Sequence, residues 1–487
     1  MKMYVNGEWK NGDGKDSIKK FSPISGKLLY EFRPASKGDL KEAIESAHDA
    51  FPKWSSITST ARAKIIFKAK ELIERKRREL ESIIMLENGK IPKEAEEEVD
   101  GVIDQLQYYA EFARKLRGDI VEGDTASRKI FQYLVPYGVV AAITPWNFPA
   151  AMVARKLAPA LLTGNTVVLK PSSDTPMSAE WITRKFADAG VPKGVLNMIA
   201  GKGSEIGDEI VSNKLVSLVT MTGSTSTGQR IMEKASGNMA KLVLELGGKA
   251  PFMVWKDADL ANALKTLAWA KYWNAGQSCI AAERLYVHEE VYGKFMRMFA
   301  ELSRKISIGN TSSSDMGPLI NASAMKNIGD AVRYSVEKGG RLLVGKVAAP
   351  SRYKYGYYMY PEIIEGLGQK SKLFQDEIFG PVIGAMKISN KDEMFDLAND
   401  SKYGLASYLF TNDFSLAQEA SERIRFGELY INMPGPESSQ GYHTGFRMTG
   451  QAGEGSVYGI LEYLKRKNVY VDYSKKIEIP TVRKRLL

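Results

Sequence analysis

Across residues 39 to 117 apolar side chains recur at helical spacing among charged ones, which predicts amphipathic helices with one face turned to a core. Three stretches carry the pattern: about Lys41 to Phe51, Thr60 to Asn88, and Pro92 to Leu116, the last opening on a proline where a first helical turn tolerates one. From Val139 the period changes. Short β-branched runs (VVAAIT, then TVVLK at Thr166 to Lys170, then VLNMI and SLVTM) alternate with amphipathic helices. Strand, crossover helix, strand predicts a parallel, doubly wound α/β sheet that binds ligands beyond the carboxyl ends of its strands. A second alternating region follows Gly248, with strands expected at Phe252 to Val254, Leu285 to His288, Pro381 to Lys387, Ser407 to Phe410 and Glu428 to Asn432. Two β-like segments, Ile120 to Tyr137 and Lys467 to Tyr473, have no helix of their own, so a sheet completed by another subunit is expected there.

A chain of 487 residues exceeds what one core usually serves, so two or three domains are expected. With 44% hydrophobic and 26% charged residues it reads as globular, not disordered. The single cysteine excludes an intramolecular disulfide, and MKMYVNGEWK has no apolar signal region, so a cytoplasmic location is expected. Tyr137 to Leu162 is the longest apolar region, but Pro145, Asn147, Pro149, Arg155, Lys156 and Pro159 break it, and no membrane span is expected. The net charge of +11 raises the question of nucleic acid. Its densest internal run, Arg75, Lys76, Arg77 and Arg78, is flanked by Glu71, Glu74, Glu79 and Glu81, which reads as a solvated helix face; Arg483, Lys484 and Arg485 read as a solubilising tail. No nucleic-acid partner is expected. Nor is a structural zinc site, because one cysteine and His48, His288 and His443 do not supply one.

Candidate chemistry lies in the loops. Cys279 follows a small, glycine-containing approach, NAGQSC, after the helical stretch Leu260 to Tyr272, and LELGGK precedes it with Glu245 at a strand end. A lone cysteine is commonly just a small buried hydrophobe, and Glu245 read structurally is a surface strand terminus. The catalytic reading is preferred because a carboxylate at the end of a buried strand is costly unless solvated or used. In TPWNFP, Asn147 stands between two prolines after an apolar strand. It is either a rigid oxyanion donor or an ordinary Asn turn. TGSTSTGQR opens a helix with Gly223 and Gly228 around a Ser/Thr loop and matches neither a Walker A loop nor G-x-G-x-x-G. Its backbone N–H groups suit pyrophosphate, or the loop merely connects.

TPWNFP, LKPSS, TGSTSTG, LELGGK, GQSC and EIFGP together occur in the order and approximate spacing of the aldehyde dehydrogenase superfamily, which the chain resembles over nearly its whole length. The resemblance implies a Rossmann-like cofactor domain (1–118 and 139–246), a second α/β catalytic domain (247–462) and a small β oligomerisation element (119–138 and 463–487) that makes homodimers or homotetramers. It implies Cys279 as nucleophile, Glu245 as general base, Asn147 with the Cys279 N–H as oxyanion donors, and Lys156 near the oxyanion. Trp146, Lys170, Ser173, Gly223, Ser224, Gly228, Glu377 and Phe379 become the cofactor contacts. Members preferring NAD commonly place a glutamate three residues after the lysine; Ser173 stands there, so NADP is the expected cofactor, with NAD possible. The chain departs from the family at HTGFRMTGQAGEGS, where Ala452 and Gly453 replace the more usual Gly-Arg, a change bearing on substrate more than on reaction. Within the family it looks closest to the glyceraldehyde dehydrogenases of non-phosphorylated sugar breakdown, with a semialdehyde and NAD as the alternative. A cysteine hydrolase on the same thiol lacks a recognisable Cys/His signature, and a binding protein without turnover is opposed by the intact Cys279, Glu245 and Asn147.

Overall fold

The computed structural model describes residues 1–346 and 355–474. The tail Arg483, Lys484 and Arg485, and with it the end of the 463–487 segment, lies outside the described residues.

The N-terminal periodic region folds into helices Lys37–Ser56, Ser59–Arg75, Arg77–Asn88 and Pro92–Glu111. Ser36 and Asp39 close a capping box on the first, Thr58 caps the second, and Pro92 opens the fourth. The expected single helix from Thr60 to Asn88 is two, parted at Lys76, whose φ of −119° leaves the helical region. Periodicity did not reveal the break because Lys76 and its neighbours are charged and anchor no core face. The basic run is met locally: Arg75 lies 3.9 Å from Glu71, Lys76 3.0 Å from Glu79, and Arg77 2.8 Å from Glu81.

The first sheet runs Glu8–Lys10, Met3–Val5, Leu196–Met198, Thr166–Lys170, Val139–Ile143, Val216–Thr222, Lys241–Glu245, Gly450–Gln451. Its five central strands are parallel and both edges are antiparallel. Helices cover both faces, so the central strands read as continuous apolar runs instead of alternating ones. Parallel register brings Ile143, Lys170, Thr222 and Glu245 to one end of the sheet. The second sheet runs Arg341–Val344, Glu362–Glu365, Val382–Ile388, Ala282–His288, Ala250–Val254, Ala406–Phe410, Glu428–Ile431, parallel except at its first strand. The molecule is thus a mixed α/β fold with two helix-flanked sheets. Gly450–Gln451 comes from the chain beyond the second sheet and hydrogen-bonds to the last strand of the first, Gly450 opposite Glu245.

The β-like segments do not need another subunit for pairing. Leu464–Asp472 pairs antiparallel with Arg128–Pro136 over nine residues, and Asp119–Glu122 adds a third strand. Long-range pairing within the chain supplies the hydrogen bonds that local reading left open. Among the described residues no helix is long and apolar enough to cross a membrane.

Between the helical region and the first sheet, Lys90 and Glu98 form a fully buried ion pair at 2.5 Å. Glu98 also accepts from the N–H groups of Ala150 and Ala151 at 2.8 and 3.1 Å, at the start of helix Ala151–Leu162. Removing one partner leaves a buried charge unmet. Glu98→Ala is therefore expected to cost about 3–5 kcal/mol in urea unfolding, the usual penalty for breaking a buried pair. Glu71→Ala on the exposed face should stay within about 0.5 kcal/mol of wild type.

Candidate active site

Helix Leu260–Tyr272, capped by Asp259, delivers the chain to a tight turn in which Asn274 and Ala275 have φ of 50° and 55°. Such angles cost a non-glycine residue about 1–3 kcal/mol and persist only where the surroundings hold them. Here the holding groups are identifiable. Glu94 accepts from the Asn274 N–H at 2.6 Å, and the Asn274 amide donates to the carbonyls of Asn147 and Gln277 at 3.0 and 3.1 Å. Gln277 in turn accepts from the Ile320 N–H at 2.8 Å. Burial pushes the Glu94 carboxyl up to about 7. The turn leaves Cys279 half-buried at the wall of a cavity of about 180 Å³, which Asn147, Arg155, Glu245, Glu437 and His443 also line. Gly248 lies against the Cys279 backbone, where an added Cβ would overlap the Cys279 carbonyl oxygen.

Asn147 is buried, and its amide donates to the Gln277 carbonyl at 3.2 Å, which leaves its second N–H available. Glu245 is no surface terminus. It is 3% exposed, and neither carboxylate oxygen has a hydrogen-bond partner among the described residues. Burial, with Glu454 adding to it, raises its carboxyl well above the ordinary range. Lys156 is fully buried, paired to Glu454 and bonded to Thr220 Oγ1 at 3.1 Å.

His443 reaches the cavity of Cys279, although no Cys/His signature in the sequence pointed to it. Its imidazole and the Cys279 thiol line the same cavity. Nδ1 lies 2.8 Å from Glu428 and 3.5 Å from Glu437, and Nε2 lies 3.8 Å from Glu245. Burial disfavours the imidazolium, but Glu437 and Glu428 outweigh it and hold His443 well above its ordinary value. Glu437 receives Arg155 at 2.6 Å, and Tyr430 donates to Glu428 at 2.8 Å. Glu428, Glu437 and His443 bring ligand atoms within 4.8 Å of one another, a spacing a metal ion could use, but their charges are already met by these partners. Arg155, Glu437 and His443 were not singled out from the sequence. The only signal was that His443 opens the segment where the family pattern departs.

The other expected residues flank the cavity on the first sheet's carboxyl end. Trp146 and Phe379 meet edge-to-face at 5.4 Å. Phe379 is held at φ 55°, with its N–H and that of Ile378 donated to buried Glu283 at 2.8 and 2.9 Å. Glu377 accepts from the Gly248 N–H at 2.8 Å; burial, then the neighbouring Glu283, pushes its carboxyl up to about 8. Ser224 caps helix Thr225–Ala235, and Gly228 packs so closely on Leu246 that a Cβ would lie 2.5 Å from it. Ser173 is half-buried in the turn after Lys170. Lys170 is 5% exposed, and among the described residues its ammonium meets only the Pro171 carbonyl, at 3.3 Å. Burial brings it down to about 8. A buried ammonium without a carboxylate, at the same end of the sheet as the start of the Ser224-capped helix, fits an anionic dinucleotide.

The aldehyde dehydrogenase family model matches residues 9–469. The chain belongs to the aldehyde dehydrogenase family. It is 67% identical over 485 residues to the D-glyceraldehyde dehydrogenase (NADP(+)) of Thermoplasma acidophilum, covering 99% of this chain and 98% of that one. The enzyme of the same name from Picrophilus torridus is 64% identical over the same length. Among solved structures, lactaldehyde dehydrogenase from Escherichia coli superposes with a TM-score of 0.94 at 36% identity, over 97% of this chain and 99% of that one.

Gly248 sets the closest approach of the loop that carries Cys279. Gly248→Ala is expected to displace that loop and lower kcat/KM for aldehyde oxidation by about 10²-fold, the scale of a misplacement of about 1 Å. Circular dichroism should show the fold retained. An unchanged rate would show that the Cβ is accommodated without moving the cysteine.

Proposed function

We propose that this aldehyde dehydrogenase oxidises glyceraldehyde, or a similar short hydroxylated aldehyde, to the carboxylic acid with NADP. One observation carries the reading: Cys279, Glu245 and Asn147 line a single cavity into which Arg155, Glu437 and His443 bring charged and hydrogen-bonding groups beside apolar Phe148, Met152 and Trp273. A wall that hydrogen-bonds substrate hydroxyls rejects analogues lacking them, because its buried polar groups are then left unmet. The two relatives named above, 67% and 64% identical, bear the names of NADP-dependent D-glyceraldehyde dehydrogenases.

In this reading the Cys279 thiolate adds to the aldehyde carbon, and the oxyanion is received by the Asn147 amide and the Cys279 N–H. The nicotinamide dinucleotide, when bound, supplies the hydride acceptor. Glu245, made more basic by burial, takes the proton of the water that hydrolyses the Cys279 thioester. Lys156 acts through Glu454 to set the charge around Glu245. Trp146, Glu377 and Phe379 hold the nicotinamide end, the Gly223, Ser224 and Gly228 loop the pyrophosphate, and Lys170 with Ser173 the adenosine ribose and its 2′-phosphate. The three-stranded sheet, with Ile120, Tyr133 and Tyr470 exposed, is the surface on which two or four copies assemble, and the lone thiol is consistent with a reducing cytoplasm.

An absorbance assay over an aldehyde panel with both dinucleotides tests the reading directly. Cys279→Ser should abolish turnover and leave dinucleotide binding intact. Glu245→Gln should release a stoichiometric burst of reduced dinucleotide, then turn over slowly; no burst would move Glu245 away from deacylation. Ser173→Glu places a carboxylate where the 2′-phosphate would lie. It should cut kcat/KM with NADP by about one to two decades, the worth of one charge-assisted contact. A wild type that favours NAD would overturn the cofactor assignment.

A further inference from the structure

We propose that Glu437 sets the charge class of the substrate: by holding Arg155 in an ion pair on the cavity wall, it admits neutral hydroxyaldehydes and refuses aldehydes that carry a carboxylate or a phosphate. The inference rests on aldehyde oxidation at Cys279 in this cavity and deepens that reading by naming what the far end of the substrate must lack.

Arg155 comes from helix Ala151–Leu162 and Glu437 from the loop that follows strand Glu428–Ile431, and both line the cavity with Cys279 and Asn147. Their side chains, 12% and 11% exposed, meet at 2.6 Å. A guanidinium on a cavity wall is the group that ordinarily captures a carboxylate or phosphate, through forked N–H donors and an uncompensated charge. Here the charge is compensated in advance. Burial disfavours the Arg155 cation, but Glu437 and then Glu454 hold it protonated beyond its ordinary range. Burial also works against the Glu437 carboxylate, and His443 and Arg155 overcome it. The pair is therefore ionised on both sides and neutral as a whole.

The other groups of the wall add no free positive charge. His443 is engaged by Glu428 at 2.8 Å and by Glu437 at 3.5 Å, and Glu454 is paired with Lys156. Helix Pro92–Glu111 brings Glu97 and Asp104 to the cavity, the first 4.0 Å from Lys93 and the second accepting from Ser439. Among the described residues lining the cavity, Arg155 and His443 thus stand against Glu97, Asp104, Glu437 and Glu454, with Glu245 besides. The dinucleotide side is built the other way. There Lys170 is buried with no carboxylate at bonding distance among the described residues. Where this fold suits an anion it leaves a cation unpaired; beside Cys279 it pairs the cation.

A hydroxyl matches the pair, since it accepts from a guanidinium N–H not given to Glu437 and donates to a carboxylate lone pair. An ionised carboxylate or phosphate dianion offers only acceptors. It reaches Arg155 only by facing the like charge of Glu437, and displacing Glu437 would leave a buried carboxylate unmet. This divides the glyceraldehyde reading from the semialdehyde alternative, because the two substrates differ in charge at the end remote from the aldehyde.

The test compares one aldehyde with and without its charge, at saturating NADP. Wild type should show kcat/KM about ten- to a hundredfold higher for methyl 4-oxobutanoate than for 4-oxobutanoate, the worth of one charge-assisted contact. In Glu437→Gln, with its fold checked by circular dichroism, the released guanidinium should close that gap by lowering KM for 4-oxobutanoate. Adding Arg155→Gln should abolish the gain. The wild-type comparison needs no variant. Wild type that oxidises 4-oxobutanoate as well as its ester, an unchanged gap in folded Glu437→Gln, a gain confined to kcat, or a gain that survives loss of Arg155 each overturns the proposal. Failure of the underlying hydroxyaldehyde reading looks different: propanal would then match glyceraldehyde while the gap between 4-oxobutanoate and its ester remained.

Discussion

Four buried glutamates hold the loops on which this site depends, each by receiving backbone N–H groups that would otherwise be unmet. Glu87 accepts from Met177 and Ser178 beyond LKPSS, Glu98 from Ala150 and Ala151 beyond TPWNFP, Glu94 from Asn274 before the cysteine, and Glu283 from Ile378 and Phe379 in EIFGP. A buried carboxylate is expensive, and the cost is offset only when its lone pairs are filled. Burial pushes Glu87 and Glu94 up to about 7, whereas Lys249 and Lys271 overcome burial and hold Glu283 below the usual range. The loops are thereby tied to the helices and strands that carry the glutamates. This matters for a reaction in which the oxyanion donor must be in place before charge develops.

Inside the cavity the same side-chain type is driven to opposite ends of its range by its neighbours. Glu437 and Glu454 face cations at close range and stay ionised; Glu245 meets none closer than His443 at 3.8 Å, and burial raises it. Environments that push like groups apart in this way divide acid, base and counter-ion roles among otherwise identical carboxylates. Arg155 and Lys156, adjacent on helix Ala151–Leu162, are the device: one helix places two cations against two carboxylates that arrive from the far end of the chain.

Close backbone approach is the third constraint. Gly248 rests on the Cys279 carbonyl, Gly450 closes on the Leu244 carbonyl, and Asn274, Ala275 and Phe379 adopt left-handed angles that neighbouring hydrogen bonds sustain. Together they bring the ends of two separate sheets to a common cavity.

Much of this was legible in the chain alone. Helix Leu260–Tyr272 and strand Thr166–Lys170 occupy the residues their patterns predict, because period and caps are properties of neighbours in sequence. The ordered motifs identified the loops bearing Cys279, Glu245, Asn147 and Lys170, since glycines, prolines and small residues mark where backbone must turn tightly. The break at Lys76, the strand Glu362–Glu365 and the mutual pairing of the two β-like segments were not legible, for they answer to partners far away in the chain. The same holds for His443. Alone in sequence it is one of three scattered histidines, and only the docking of Gly450–Gln451 onto the first sheet, carrying its neighbouring ladder along, sets it beside Glu428 on the wall of the cavity that Cys279 also lines. Sequence determined which residues could do chemistry; the packing of two sheets decided which of them touch, because charge and burial depend on distance in space.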